Sequence, residues 1–212
     1  MSLDIFIMYF FVAFFYIISP GPAIFLAITN GLTKDMKTVA ISSFANILGL
    51  FILSAISISG LGVILTTSAT LFMVVKVIGA GYLLYLGIKQ FRSIGSIKLI
   101  DEDNHKHNKR SSKEFFLESF FLAVTNPKPI IFFIALFPQF LTLESAILPQ
   151  FFILTGTFMF ISFFSLFGYG FISKSAKRYF NDKNKMAWFH RITGGLFILM
   201  GLGLLQLKRI EN

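Results

Sequence analysis

The sequence predicts an all-α integral membrane protein, built as six transmembrane helices in two inverted three-helix repeats, each with a proline-broken first helix. Three observations predict this. The first is composition. Of 212 residues, 55% are hydrophobic, 14% are charged, and Phe alone occurs 29 times. That leaves too little polar surface for a soluble domain of this size. The second is length, which holds about six spans at ~20 residues each, with short loops and no separate soluble domain. The third is a pair of breaks. Ser19-Pro20-Gly21-Pro22 and Asn126-Pro127-Lys128-Pro129 each interrupt an apolar run. A proline removes an N–H donor and clashes with the preceding turn, and glycine adds backbone freedom. Hydrocarbon tolerates such a backbone only where protein or a water-lined cavity surrounds it.

The elements follow from the apolar runs. Span one covers Ile5 to Thr29 with its break at Ser19–Pro22. No basic residue and no small-residue cleavage site accompanies Met1-Ser2-Leu3-Asp4, so this run reads as a retained span and not a removed leader. Span two is Val39–Gly60, span three Leu71–Phe91, span four Phe115–Pro138, span five Phe151–Ile172 and span six Phe189–Leu207. The chain is thus one membrane domain over 1–212, with repeat one at 1–91, a charged loop at 92–114 and repeat two at 115–207.

Lys and Arg crowd alternate loops. Lys34 and Lys37 lie in loop one, and Arg92, Lys98, Lys106, Lys109, Arg110 and Lys113 in loop three. Loop five holds Lys174, Lys177, Arg178, Lys183 and Lys185, whereas loops two and four have neither residue. The positive-inside rule puts the odd loops in the cytoplasm and both termini outside. The membrane surface therefore accounts for the net charge of +9, and nucleic acid is not an expected partner.

The two halves align at their breaks and at spans three and six. Pro20-Gly21-Pro22-Ala23-Ile24-Phe25 matches Pro127-Lys128-Pro129-Ile130-Ile131-Phe132. Lys76-Val77-Ile78-Gly79-Ala80-Gly81-Tyr82 parallels Arg191-Ile192-Thr193-Gly194-Gly195-Leu196-Phe197. A three-span unit used twice must be inverted, and matched broken helices point to a midplane binding site. Ser42, Asn46, Gly49 and Ser57 share one arc of span two, and Thr155, Ser162, Tyr169 and Ser173 share one arc of span five. Interhelical hydrogen bonding explains such hydroxyls equally well, but Asn46 is costlier to bury and reads as functional. Gly79, Gly81, Gly87, Gly194, Gly195, Gly201 and Gly203 read as packing residues.

Charges inside the spans are few. Lys76, Glu118 and Arg191 lie near span ends and read as interfacial, as does His190, while His105 and His107 fall in the charged loop. Lys128 lies mid-span within the break, where a functional role is the default. Its ammonium and the freed N–H groups of a half-helix would hold a carboxylate. The competing reading is that Lys128 donates to carbonyls orphaned by the break. No Asp or Glu lies at a span centre, so neither a carboxylate relay nor a metal-cation cage is expected there. The chain has no cysteine, no nucleophile–base pair, no phosphate loop and no metal motif. An enzyme is therefore not expected, and neither is a cofactor or resident metal.

Pro20-Gly21-Pro22, Lys76-x-x-Gly79-Ala80-Gly81-Tyr82-Leu83-x-Tyr85-Leu86-Gly87, and Asn126-Pro127-Lys128 followed by Phe137-Pro138-Gln139-Phe140 together resemble the lysine-exporter (LysE/RhtB) family of bacterial amino-acid exporters. The likeness covers essentially the whole chain. It implies an inner-membrane efflux carrier for amino acids coupled to an ion gradient. By position it nominates Pro20, Gly21, Pro22, Asn126, Pro127 and Lys128 as central residues. Loop one lacks a glycine common in the family, and Asn46 stands where a small residue is usual, which leaves the transported amino acid open. With Asn46 and Tyr169 added from the polar arcs, these residues form the expected substrate site. The missing midplane carboxylate favours a small neutral substrate such as threonine or homoserine. The expected partners are that amino acid and the bilayer, with a homo-oligomer left open. The alternatives are a membrane partner subunit that transports nothing and an exporter of another solute or metal ion.

Overall fold

The computed structural model describes residues 1–67, 69–92, 110–142, 144–180 and 183–206. Among these the elements are helical throughout: α1 (Leu3–Ile18), α2 (Pro22–Thr33), α3 (Met36–Thr67), α4 (Ala69–Arg92), α5 (Ser112–Thr125), α6 (Pro127–Ile131), α7 (Ile147–Phe180) and α8 (Lys183–Gln206). A π-helical turn over Phe132–Leu136 and a 3-10 turn over Phe137–Phe140 continue α6.

Among the described residues two helices, α3 and α7, are long and apolar enough to cross a membrane, or up to four spans if each bent pair is one. The bent pairs are α1 with α2, at 55°, and α5 with the segment Pro127–Phe140, at 43°. At about 1.5 Å per residue, neither half of such a pair reaches across the ~30 Å hydrocarbon layer, whereas each pair together does.

The helix limits follow local chemistry. Ser2 caps α1 by accepting the Ile5 N–H. Ser111 and Glu114 cap α5 reciprocally. Span two extends past Gly60 to Thr67, because the expected loop of Leu61–Thr70 contains no proline to stop a helix. Likewise α7 runs through Lys174, Lys177 and Arg178 to Phe180, since cations suit a helix C-terminus.

α3 packs on α5 and α7, α2 and α1 pack on α7, and α4 packs on α8. Glycines permit the closest approaches. A Cβ on Gly31 would collide with the Gly170 carbonyl oxygen and with Ser173 Oγ. On Gly87 it would lie 2.8 Å from the Gly194 carbonyl oxygen, and on Gly201 3.1 Å from that of Ala80. The packing reading therefore holds for Gly79, Gly87 and Gly201, while Gly81 and Gly203 face open space.

The two halves of the molecule have different interiors. Around α1 and the π turn, Tyr9, Tyr16, Phe132, Phe133, Phe137, Phe140, Phe151, Phe158 and Phe197 form one continuous aromatic core. Around α2 the core is a small aliphatic patch of Ile24, Ala27, Ile28 and Leu166. That half adds one buried polar pair, Asn30 Nδ2 donating to Ser42 Oγ at 2.9 Å.

Candidate functional site

The two breaks meet. Each proline withholds a helical N–H from a carbonyl in the preceding turn, and at Pro20, Pro22 and Pro138 a side chain replaces it. Pro20 cannot serve the Tyr16 carbonyl, and Ser19 Oγ donates to it at 2.9 Å. Pro22 cannot serve the Ile18 carbonyl, and the Tyr169 hydroxyl, reaching from α7, donates to it at 2.9 Å. The Ser19 carbonyl lies beyond the end of α1 and accepts from Lys128 Nζ at 2.8 Å. Pro138 cannot close the π turn on the Phe133 carbonyl, so Ser57 Oγ of α3 donates there.

Lys128 is the hinge of this arrangement. Besides the Ser19 carbonyl, its Nζ donates to Ser19 Oγ at 2.7 Å. The ammonium stands 4.8 Å from the centre of the Tyr16 ring. Its own N–H is accepted by Asn126 Oδ1 at 3.1 Å, which caps α6. Its carbonyl accepts from the Tyr16 hydroxyl. Among the described residues the ion pairs are those of Arg110 with Glu114 and Glu118, so Lys128 has no carboxylate partner there. The N-terminus of α2 begins at Gly21 in extended backbone, with no side chain capping it. A Cβ on Gly21 would stand 3.7 Å from Lys128 Nζ, so this end of α2 faces the ammonium.

The structure thus brings Pro20, Gly21, Pro22, Asn126, Pro127, Lys128 and Tyr169 together. Asn46 is buried on α3, a turn from Ser42 and its pair with Asn30, whereas the side chains that bond or stack on Lys128 are those of Ser19, Asn126 and Tyr16. The competing reading of Lys128 as a donor to the broken backbone matches its bond to the Ser19 carbonyl. Glu118 pairs with Arg110 at 2.7 Å, in keeping with an interfacial role. His190, expected at the interface, is buried on α8. The Lys76 side chain and both His105 and His107 lie outside the described residues. Sequence reasoning missed Tyr16, which no motif distinguishes from the many other aromatic residues. It also treated Ser19 only as an edge of the break.

A family model described as LysE type translocator matches residues 14–208. A homoserine/homoserine lactone efflux protein of Salmonella typhi is 30% identical over 184 residues, 87% of each chain. A leucine efflux protein of Enterobacter sp. is 28% identical over 192 residues, covering 90% of this chain and 88% of the relative. An uncharacterized membrane protein of Vibrio cholerae is 30% identical over 209 residues, 97% of each chain. No solved structure gives a significant match. A broken-helix pair joined by a lone ammonium, a match over nearly the whole length and relatives that are efflux proteins lead to one assignment: the chain belongs to the LysE type translocators, a family of membrane transporters that export amino acids.

Proposed function

We propose that this protein exports a small neutral amino acid across the bacterial inner membrane, driven by an ion gradient, with the substrate carboxylate held between Lys128 and the N-terminus of α2. One observation carries the reading: a buried-break ammonium whose ligands are all neutral, namely the Ser19 carbonyl, the Ser19 hydroxyl and the Tyr16 ring. A cation in such surroundings is stabilised by an anion, and a carboxylate displacing Ser19 Oγ supplies one. The uncapped N–H groups of α2 add positive partial charge on the same side. Pro20, Gly21, Pro22, Asn126, Pro127 and Tyr169 shape and hold the site, and Asn46 lines the route toward the basic loops. The relatives named for homoserine/homoserine lactone and for leucine efflux support a substrate with an uncharged side chain.

In this reading the chain crosses the membrane six times as two inverted repeats. α4 and α8 count as spans, the basic loops are cytoplasmic, and both termini are outside. The pairing of α3 with α7 and of α4 with α8, equivalent elements of the two halves, supports the repeat.

The test is efflux from proteoliposomes loaded with labelled homoserine, threonine, leucine or homoserine lactone, with and without an imposed gradient. The lactone has no carboxylate. Wild type is expected to export one of the amino acids in preference to the lactone, and Lys128→Met to lose that export. Equal export by wild type and Lys128→Met overturns the assignment, and export that ignores the gradient overturns the coupling.

A further inference from the structure

We infer that Tyr16 is the positioning residue of Lys128 and closes the site on its outer side. This rests on the reading of Lys128 as the substrate-carboxylate anchor and of the α1 N-terminus as outside. Tyr16 grips both ends of one lysine. Its hydroxyl donates to the Lys128 carbonyl, and its ring lies under the ammonium at 4.8 Å. The ring is 2% exposed. It is wedged against Phe132 at 4.6 Å, Phe197 at 6.1 Å and Phe158 at 6.4 Å. From there the aromatic core continues along α1 to Tyr9, whose ring stands 5.2 Å from Phe140 and whose hydroxyl donates to the Leu154 carbonyl.

Among the described residues the core around α2 is smaller and mostly aliphatic, with Tyr169 packed at its edge. On this side it is the break itself, through Ser19 and Gly21, that faces the ammonium. A carboxylate approaching from the α2 side therefore meets the ammonium through the break. One leaving toward the α1 end must first lift the Tyr16 ring. The hydroxyl ties that movement to the second break, because its acceptor is the backbone of α6.

The chain contains no cysteine, so a single reporter thiol is unambiguous. Gly21 suits the purpose. Its backbone is extended, and a Cβ there would lie 3.4 Å from Lys128 Cδ, in ordinary contact. Gly21→Cys protein would be labelled in right-side-out vesicles by a membrane-impermeant methanethiosulfonate added outside. Three backgrounds are compared: Tyr16, Tyr16→Phe and Tyr16→Leu. Labelling is expected to be slow with Tyr16, about threefold faster with Tyr16→Phe and about tenfold or more faster with Tyr16→Leu, since the ring face carries most of the attraction to the ammonium. Added homoserine or leucine is expected to slow labelling in all three. Unchanged rates in both variants, with amino acid still protecting the thiol, overturn the role of Tyr16 and leave the Lys128 site standing. No protection by any amino acid in any background, together with normal export by Lys128→Met, overturns the site itself. If Tyr16→Leu fails to fold, Tyr16→Phe carries the test alone, and an unchanged rate refutes the inference.

Discussion

Replacing Tyr169 by Phe keeps the ring and removes one hydroxyl. That hydroxyl donates to the Ile18 carbonyl at 2.9 Å, across the gap that Pro22 leaves at the end of α1. A hydrogen bond between membrane helices contributes about 0.6 kcal/mol on average and up to about 1.7, while a buried acceptor left unpaired costs about 1–3 kcal/mol. The second figure has more weight here, because α1 and α2 part by 55° at this point and, among the described residues, no backbone N–H takes the vacancy. The expected loss is about 1–2 kcal/mol. For a chain of this length that corresponds to a fall in Tm of about 2–8 °C. The assay is thermal unfolding of purified protein in mild detergent, followed by helix circular dichroism. The control is Tyr85→Phe, at a side chain 55% exposed on α4, which is expected to shift Tm by no more than about 2 °C. An unchanged Tm for Tyr169→Phe, or an equal fall in both variants, refutes the account of the break as a backbone satisfied from α7.

Three further outcomes are expected. Ser57→Ala leaves the Phe133 carbonyl without its donor and is expected to lower stability by about 1–2 kcal/mol in the same melt, with faster amide exchange confined to the π turn and its neighbours. Gly31→Ala drives a methyl into the Gly170 carbonyl, and about 1–3 kcal/mol of destabilisation is expected, with little effect from Gly168→Ala on the same helix α7, where a Cβ meets nothing. At the start of α3, the Thr38 hydroxyl and N–H hold the Asp35 carboxyl below its usual range. A lowered native value means that this cap contributes above the ordinary carboxylate range and is lost as pH falls through the native value. Thr38→Val is expected to move the Asp35 titration, read by carbon-13 NMR, upward, and an unmoved curve would show that the hydroxyl is not its cause.

The class of the protein and the place of both breaks were legible in one dimension. Phenylalanine-rich runs separated by basic loops admit only helices in hydrocarbon, and Pro20, Pro22, Pro127 and Pro129 interrupt the backbone wherever the chain folds. Helix lengths were less legible. α3 runs to Thr67 and α7 to Phe180, because neither stretch holds a proline that would end a helix where hydropathy falls. Lys128 could be picked out as the one deep charge, but its surroundings could not. Sequence spacing carries no record of which carbonyls lie within reach of a side chain from a distant helix. Only the packing of α1 against α6 and α7 put Ser19 on the ammonium, Tyr169 on Ile18 and the Tyr16 ring beneath Lys128. Local covalent chemistry thus dictated where the backbone must break. The long-range contacts decided which side chains repair it, and they set Lys128 Nζ on the carbonyl and hydroxyl of Ser19.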